Sequence, residues 1–230
     1  MNAAPTGQLQ SFTPICRQFK PIAEKNLRNH TFPHTILALT CTQIMLTPKN
    51  AVPEEKLTNN LLVSDPALRD GCFDKSVVFM IEHHQDEGSL GVILNHPTGK
   101  TVKDLISSDA FSKLANLPVY HGGPVASDQL HFICFSAHKS GIRCQYPLSA
   151  EMATNAISKS GKLVRAFVGH SSWAEGQLHE ELEKHAWFTA FSSMLTLSSS
   201  DDENLWAATL RELSPFHHII SLTPDNPFLN

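Results

Sequence analysis

The sequence predicts an α+β fold, with a compact mixed, largely antiparallel sheet and packed helices. Hairpin signals, in which two apolar runs flank a short polar turn, coexist with strands set apart by helical stretches. Strands and helices also interleave irregularly, unlike the regular alternation of a doubly wound fold. With 230 residues, 41% apolar and 17% charged, the chain suits one domain able to bury a large core without disulfides or metal.

The regular part begins at Leu61–Val63, a short apolar strand closed by the turn residues Asp65 and Pro66. Ser76 to Ile81 is a β-branched and apolar strand. Gln85 to Gly88 forms a polar hairpin loop, and Leu90 to Leu94 is the returning arm. Val77, Phe79 and Ile81 share one face, and Val78 and Met80 the other, so this hairpin is expected in the middle of the sheet. Gly91 inside the second arm indicates a bulge or a close backbone approach.

Thr101 to Asp104 reads as a helix start. Val119 and Tyr120 form a short strand that runs into the turn His121 to Val125, and Leu130 to Phe135 is a further strand. Ser149 caps a helix with the apolar face Met152, Ala153, Ala156 and Ile157. Leu163 to Val168 is a strand that Gly169 breaks. Gln177 to Lys184 is a helix, and Ala186 to Phe188 a strand. Ser200 to Glu203 is a capping box before the helical stripe Leu205, Trp206, Thr209, Leu210 and Leu213. The tail with Pro224 and Pro227 is expected on the surface.

Residues 1–58 read as a loosely ordered N-terminal extension, and 59–230 as the domain. The extension carries Pro5, Pro14, Pro21, Pro33, Pro48 and Pro53 and keeps no helical or strand period. It is either a real arm or coding sequence upstream of a start near Met45.

The net charge of -4 supplies no basic excess, which argues against a strongly electrostatic nucleic-acid binder. Five cysteines, none in C-x-x-C spacing, argue against a disulfide framework or zinc site and for reduced thiols in the cytoplasm. The most apolar early stretch, Ile36 to Leu46, is interrupted by Thr40, Thr42 and Gln43 and falls short of a membrane span. The thirteen histidines include the adjacent pairs His83-His84 and His217-His218, whose members point apart on a strand, and no H-E-x-x-H occurs. Neither a metal nor a cofactor is indicated. Gly122-Gly123 lacks the spacings of the nucleotide-binding glycine motifs.

Four blocks carry a resemblance. They are Leu61 to Leu68 with Phe73 and Ser76-Val77-Val78; Gly88 to Pro97; Val119 to Val125; and Gly169 to Leu178 with Glu181 and Trp187. In this order they resemble the bacterial, uncharacterised YqgE/AlgH family over about residues 61–190. The resemblance implies a barrel-like sheet and carries a transcriptional-regulator label. This chain departs from the family at Ser172, where many members have glycine, so a glycine-specific role there is not expected.

The two glycine-bearing blocks, His121 to Val125 and Gly169 to Gln177, each follow a predicted strand. They are expected to lie side by side and form one ligand cleft lined by His121, Gly122, Gly123, Gly169, His170, Trp173 and Glu181. Trp173 is also expected to plug a strand–helix junction, and Ser171 and Ser172 to cap the turn that follows. The functional reading is a non-enzymatic binding or regulatory protein with an unidentified small-molecule or protein partner. One alternative is a serine hydrolase using Ser171, because Ser171, Asp201 or Asp202, and His217 or His218 follow in α/β-hydrolase order. The other is a nucleic-acid-binding transcriptional regulator.

Overall fold

The structure, a computed structural model, describes residues 51–222. Its frame grows from the predicted hairpin. Strand β2 (Val77–His84) pairs antiparallel with β3 (Gly88–Ile93), and β1 (Leu61–Ser64) pairs with the other edge of β2. The β2–β3 register shifts between Met80 and Glu82. There a Cβ on Gly91 would lie 2.9 Å from the Phe79 carbonyl oxygen, so glycine permits the close approach.

Beyond β4 (Pro97–Thr101), Thr101 starts the short helix α1 (Val102–Leu105). Its backbone N–H donates to Asp104 Oδ2 at 2.7 Å. A 3-10 turn over Asp109–Leu114 then leads to β5 (Pro118–His121). Next come β6 (Val125–His138), β7 (Gly141–Leu148), α2 (Ala150–Ile157) and β8 (Lys162–Trp173). There follow α3 (Gln177–Glu183), β9 (Trp187–Ala190), α4 (Met194–Leu197), α5 (Asp202–Leu213) and α6 (Pro215–Ser221).

Among the described residues nine strands form one curled, half-barrel sheet in the order β4-β5-β8-β3-β2-β1-β9, with β6 and β7 joined through β8. Among the described residues only the β5–β8 pair is parallel. Long β8 is the hinge of this arrangement. It pairs with β5 and β6 along its first part and with β3 at Ser171–Trp173.

Both faces of the β2–β3 hairpin are covered. On one side Phe79, edge-on to Phe135, belongs to one core cluster with Phe167 and the α5 stripe Leu205, Trp206, Leu210 and Leu213. Val78, Met80 and Ile93 meet Trp173, Leu178 and Trp187 on the other. A third cluster packs α1 and α2 on β5, β6 and β8 through Val102, Phe132, Ala153 and Val164. Each fully buried leucine or phenylalanine contributes about 1.5–3 kcal/mol.

Several expectations are corrected. Gly169 does not end its strand. It adopts φ +70° inside β8, which continues to Trp173, because a bulge against β6 absorbs the left-handed residue. Met152 is exposed rather than part of the α2 core face, which Ala153 and Ala156 supply. Asp201, not Ser200, caps α5 by accepting from Asn204 N at 3.3 Å. His217-His218 lies on α6, not on a strand. Strand β7 and helices α4 and α6 were not anticipated. Val52 and Leu57, which the sequence assigns to the extension, are buried with Trp173 and Trp187. Residues 1–50 and the Pro224–Pro227 tail lie outside the described residues.

Candidate functional site

The two glycine-bearing segments meet at the end of β5. Gly122 N–H donates to the Val168 carbonyl at 2.8 Å, and the Gly122 carbonyl accepts from Ile93 N–H at 2.9 Å. Contact here is backbone against backbone. A Cβ on Gly169 would sit 2.5 Å from the Gly123 carbonyl oxygen and 2.9 Å from that of Val125, and one on Gly123 would collide with Ser171 Oγ. The glycines let two backbone segments touch, so the two glycine-bearing segments are adjacent.

Ser171 is completely buried in this seam and donates its hydroxyl to the Gly122 carbonyl at 3.0 Å. It caps neither a turn nor a helix, and its hydrogen bond ties β8 to the chain leaving β5. The other members of the suspected triad serve elsewhere. Asp201 caps α5, and His217 Nδ1 lies 2.7 Å from Ser214 Oγ with its ring edge-on to Phe188.

Trp173 and Glu181 build a separate node. Glu181 Oε2 accepts from the indole N–H of both Trp173 (2.9 Å) and Trp187 (2.8 Å), while Oε1 accepts from Gln177 Nε2 at 2.9 Å. Gln177 Oε1 in turn accepts from Ala174 N–H, which fixes the turn into α3. Phe73 stacks on Trp173 and meets Trp187 edge-on. The carboxylate thus joins β8, α3 and β9 around an aromatic plug.

The two predicted site histidines sit at the margins. His121 is exposed, and its backbone N–H donates to the His96 carbonyl at 2.8 Å. Partial shielding of the ring by its neighbours, and then the charge of Lys100, push its imidazole below the ordinary range. His170 is half-buried, with its ring 6.0 Å from that of His131. Burial pushes both of these rings down as well.

Sequence reasoning missed Arg165. The guanidinium is buried beneath α4 and α5, donates to the carbonyls of Leu94 (2.7 Å) and Leu197 (3.2 Å), and lies 4.0 Å over the Tyr120 ring. Burial pushes it down from its ordinary pKa, with Tyr120 and Asp202 opposing. Burial pushes the Asp202 carboxyl up, and the Arg165 charge opposes that. A lone arginine in the apolar run Leu163 to Val168 was the available signal, since a buried charge requires partners.

A family model described as AlgH-like (DUF179) matches residues 61–216. A UPF0301 protein of Streptomyces avermitilis is 34% identical over 187 residues, covering 76% of this chain and 95% of that protein. One from Bacteroides thetaiotaomicron is 31% identical over 181 residues, covering 74% and 89%. Among solved structures, a protein of Corynebacterium diphtheriae shares the fold at TM-score 0.58 and 22% identity, covering 72% of this chain and 92% of that one. The solution structure of AlgH from Pseudomonas aeruginosa does so at 0.55 and 20%, covering 73% and 94%.

Proposed function

We propose, from the premise that this chain belongs to the AlgH-like family, that it is a non-enzymatic binding or regulatory protein whose partner is another protein. One observation carries this reading. Phe191, Leu195, Phe216, Ile219 and Leu222 are 58–80% exposed and all follow β9. Phe216 and Ile219 lie one turn apart on α6, and Leu222 follows at its end. Large exposed apolar side chains, here all within residues 191–222, are a usual basis of protein contact.

The serine-hydrolase alternative has little to work with, because the Ser171 hydroxyl is buried and engaged by a carbonyl. Net charge argues against a nucleic-acid role. The proposed location is the cytoplasm, and among the described residues no helix is long and apolar enough to cross a membrane.

The test is cross-linking capture with the full chain and with a Phe216→Glu/Ile219→Glu variant, alongside a fluorophosphonate probe. The expected result is a specific partner lost in the variant and no labelling of Ser171. Labelling of Ser171 would overturn the reading.

A further inference from the structure

We propose that residues 51–58 form a strap over the Trp173–Trp187 plug, with Glu54 as a pH-sensitive clasp held between His83 of β2 and His179 of α3. The strap lies on the face of the β2–β3 hairpin that carries Trp173 and is independent of the surface proposed for the partner.

Apolar side chains and neutral hydrogen bonds anchor the strap at its two ends. Val52 and Leu57 are buried in one cluster with Met80, Trp173, Leu178 and Trp187. Val52 exchanges two hydrogen bonds with Thr189 of β9, and Thr58 Oγ1 accepts from the His83 N–H at 3.1 Å. Between the anchors lies a 3-10 turn, Glu54–Lys56, with no buried residue. There the strap is held by charge.

Glu54 reaches both neighbouring elements. Its Oε2 lies 2.9 Å from His179 Nδ1, and Nε2 of the same ring lies 3.5 Å from Glu183 Oε1. A protonated His179 therefore bridges two carboxylates, one on the strap and one on α3. On the other side Glu54 Oε1 lies 3.9 Å from His83 Nε2, and both atoms are buried without a hydrogen-bond partner. Two facing acceptors would repel, so the His83 proton belongs on Nε2. Nδ1 then accepts from the Ser89 hydroxyl, 2.7 Å away. The His83 side chain is 5% exposed and that of His179 is 51% exposed, so one carboxylate faces a shielded ring and a wet one.

That difference sets the response to pH. The Glu54 carboxylate, with Glu183 and Glu180 adding to it, holds His179 above its ordinary value. The closed strap therefore binds more protons than the open one above about pH 6.5, and it loses stability as pH rises through that window. Burial holds His83 below its ordinary value, with Glu54 opposing and His84 adding to the fall. Lifting the strap returns this ring to water, so the open form binds more protons below about pH 6.5 and acid also favours opening. The strap is held most firmly at about pH 6.5 and slackens on either side. Among the described residues, the other titratable groups on the elements that meet here are Glu55 and Lys56 of the strap and His84, Asp86 and Glu87 around the β2–β3 turn. Opening uncovers Met80, Trp173, Leu178 and Trp187, an apolar face that the closed strap hides.

Hydrogen exchange of the full chain, followed residue by residue by NMR and corrected for the chemical exchange rate at each pH, tests this. Protection of the Val52, Lys56 and Leu57 amides is expected to peak at about pH 6.5 and to fall about threefold or more by about pH 8.5 and by about pH 5. Glu54→Gln and His179→Asn are expected to remove the alkaline fall, and His83→Asn the acid one. The amides of α2, which packs in a different cluster, report the response of the rest of the molecule and are expected to show no such peak. Strap protection that is level with pH, that merely parallels α2, or that keeps its alkaline fall in Glu54→Gln and His179→Asn overturns the inference. Should His83→Asn fail to fold, the alkaline fall in the other two variants decides.

Discussion

Trp173 is held by packing and by one hydrogen bond at once. Its indole fills the space among Phe73, Trp187 and α3, and its N–H meets Glu181. Trp173→Ala is expected to cost about 3–5 kcal/mol in denaturant unfolding, the range for emptying a large aromatic site. A cost near zero would mean that the ring does not fill the core. The plug was legible because a large aromatic residue stood just before a helix start. Its carboxylate partner was not, because Trp187 and Trp173 reach Glu181 from two different strands. Cys144 makes a second residue-scale case. Burial pushes its thiol up to about 12, so at neutral pH it carries almost no thiolate. Native-state alkylation read by mass spectrometry is expected to leave Cys144 unmodified until the chain unfolds, and early labelling would contradict this.

Apolar runs placed β1, β3, β5 and β9 within two residues and β2 within three, and the five positions of the α5 stripe are all buried. What the pattern concealed was length. β8 carries a left-handed glycine in mid-course, so its second half, which joins β3, looked like a loop. β6 extends well beyond its apolar segment because its outer residues pair in backbone rather than pack. The same limit applies to the domain edge. Val52 N–H donates to Thr189 Oγ1 at 3.0 Å, and that hydroxyl donates back to the Val52 carbonyl at 2.7 Å. These bonds and buried Leu57 predict two different truncation outcomes. A chain starting at Met45 keeps them, and its melting midpoint is expected within about 5 °C of the full chain. A chain starting at Leu61 loses them and is expected to melt lower by more than that. Equal midpoints for both truncations would show that the segment 51–58 adds nothing to stability.

At the scale of the whole molecule, the α+β class followed from irregular interleaving, and the curled sheet from the family resemblance. The glycines, serine and acid of the expected cleft join strands to one another, a structural duty that sequence spacing alone does not reveal. The histidines tell a similar story, since they are distributed through the fold rather than collected into one centre. His96, His121, His131, His170 and His217 come from β5, β6, β8, α6 and the β3–β4 turn. In every one, burial is the largest influence and pushes the imidazole below its ordinary value of about 6.5. In the unfolded chain these rings take up protons as pH falls through about 6.5, while the folded protein resists until lower pH. The unfolded state then binds more protons, so stability falls with acidification through that window and levels off once the folded rings also titrate. Above about pH 7.5 both states are neutral at these positions and the contribution is flat. The melting midpoint is therefore expected to drop between about pH 7.5 and about pH 5.5, by the summed effect of several rings rather than one. His217 tests the assignment. Its ring packs edge-on to Phe188, and its Nδ1 lies 2.7 Å from Ser214 Oγ, a polar contact that a neutral amide of similar size can keep. His217→Gln is expected to shallow the acid slope while leaving the midpoint at about pH 8 close to that of the parent. A midpoint that stays level or rises on acidification would mean that these rings are not held neutral by the fold.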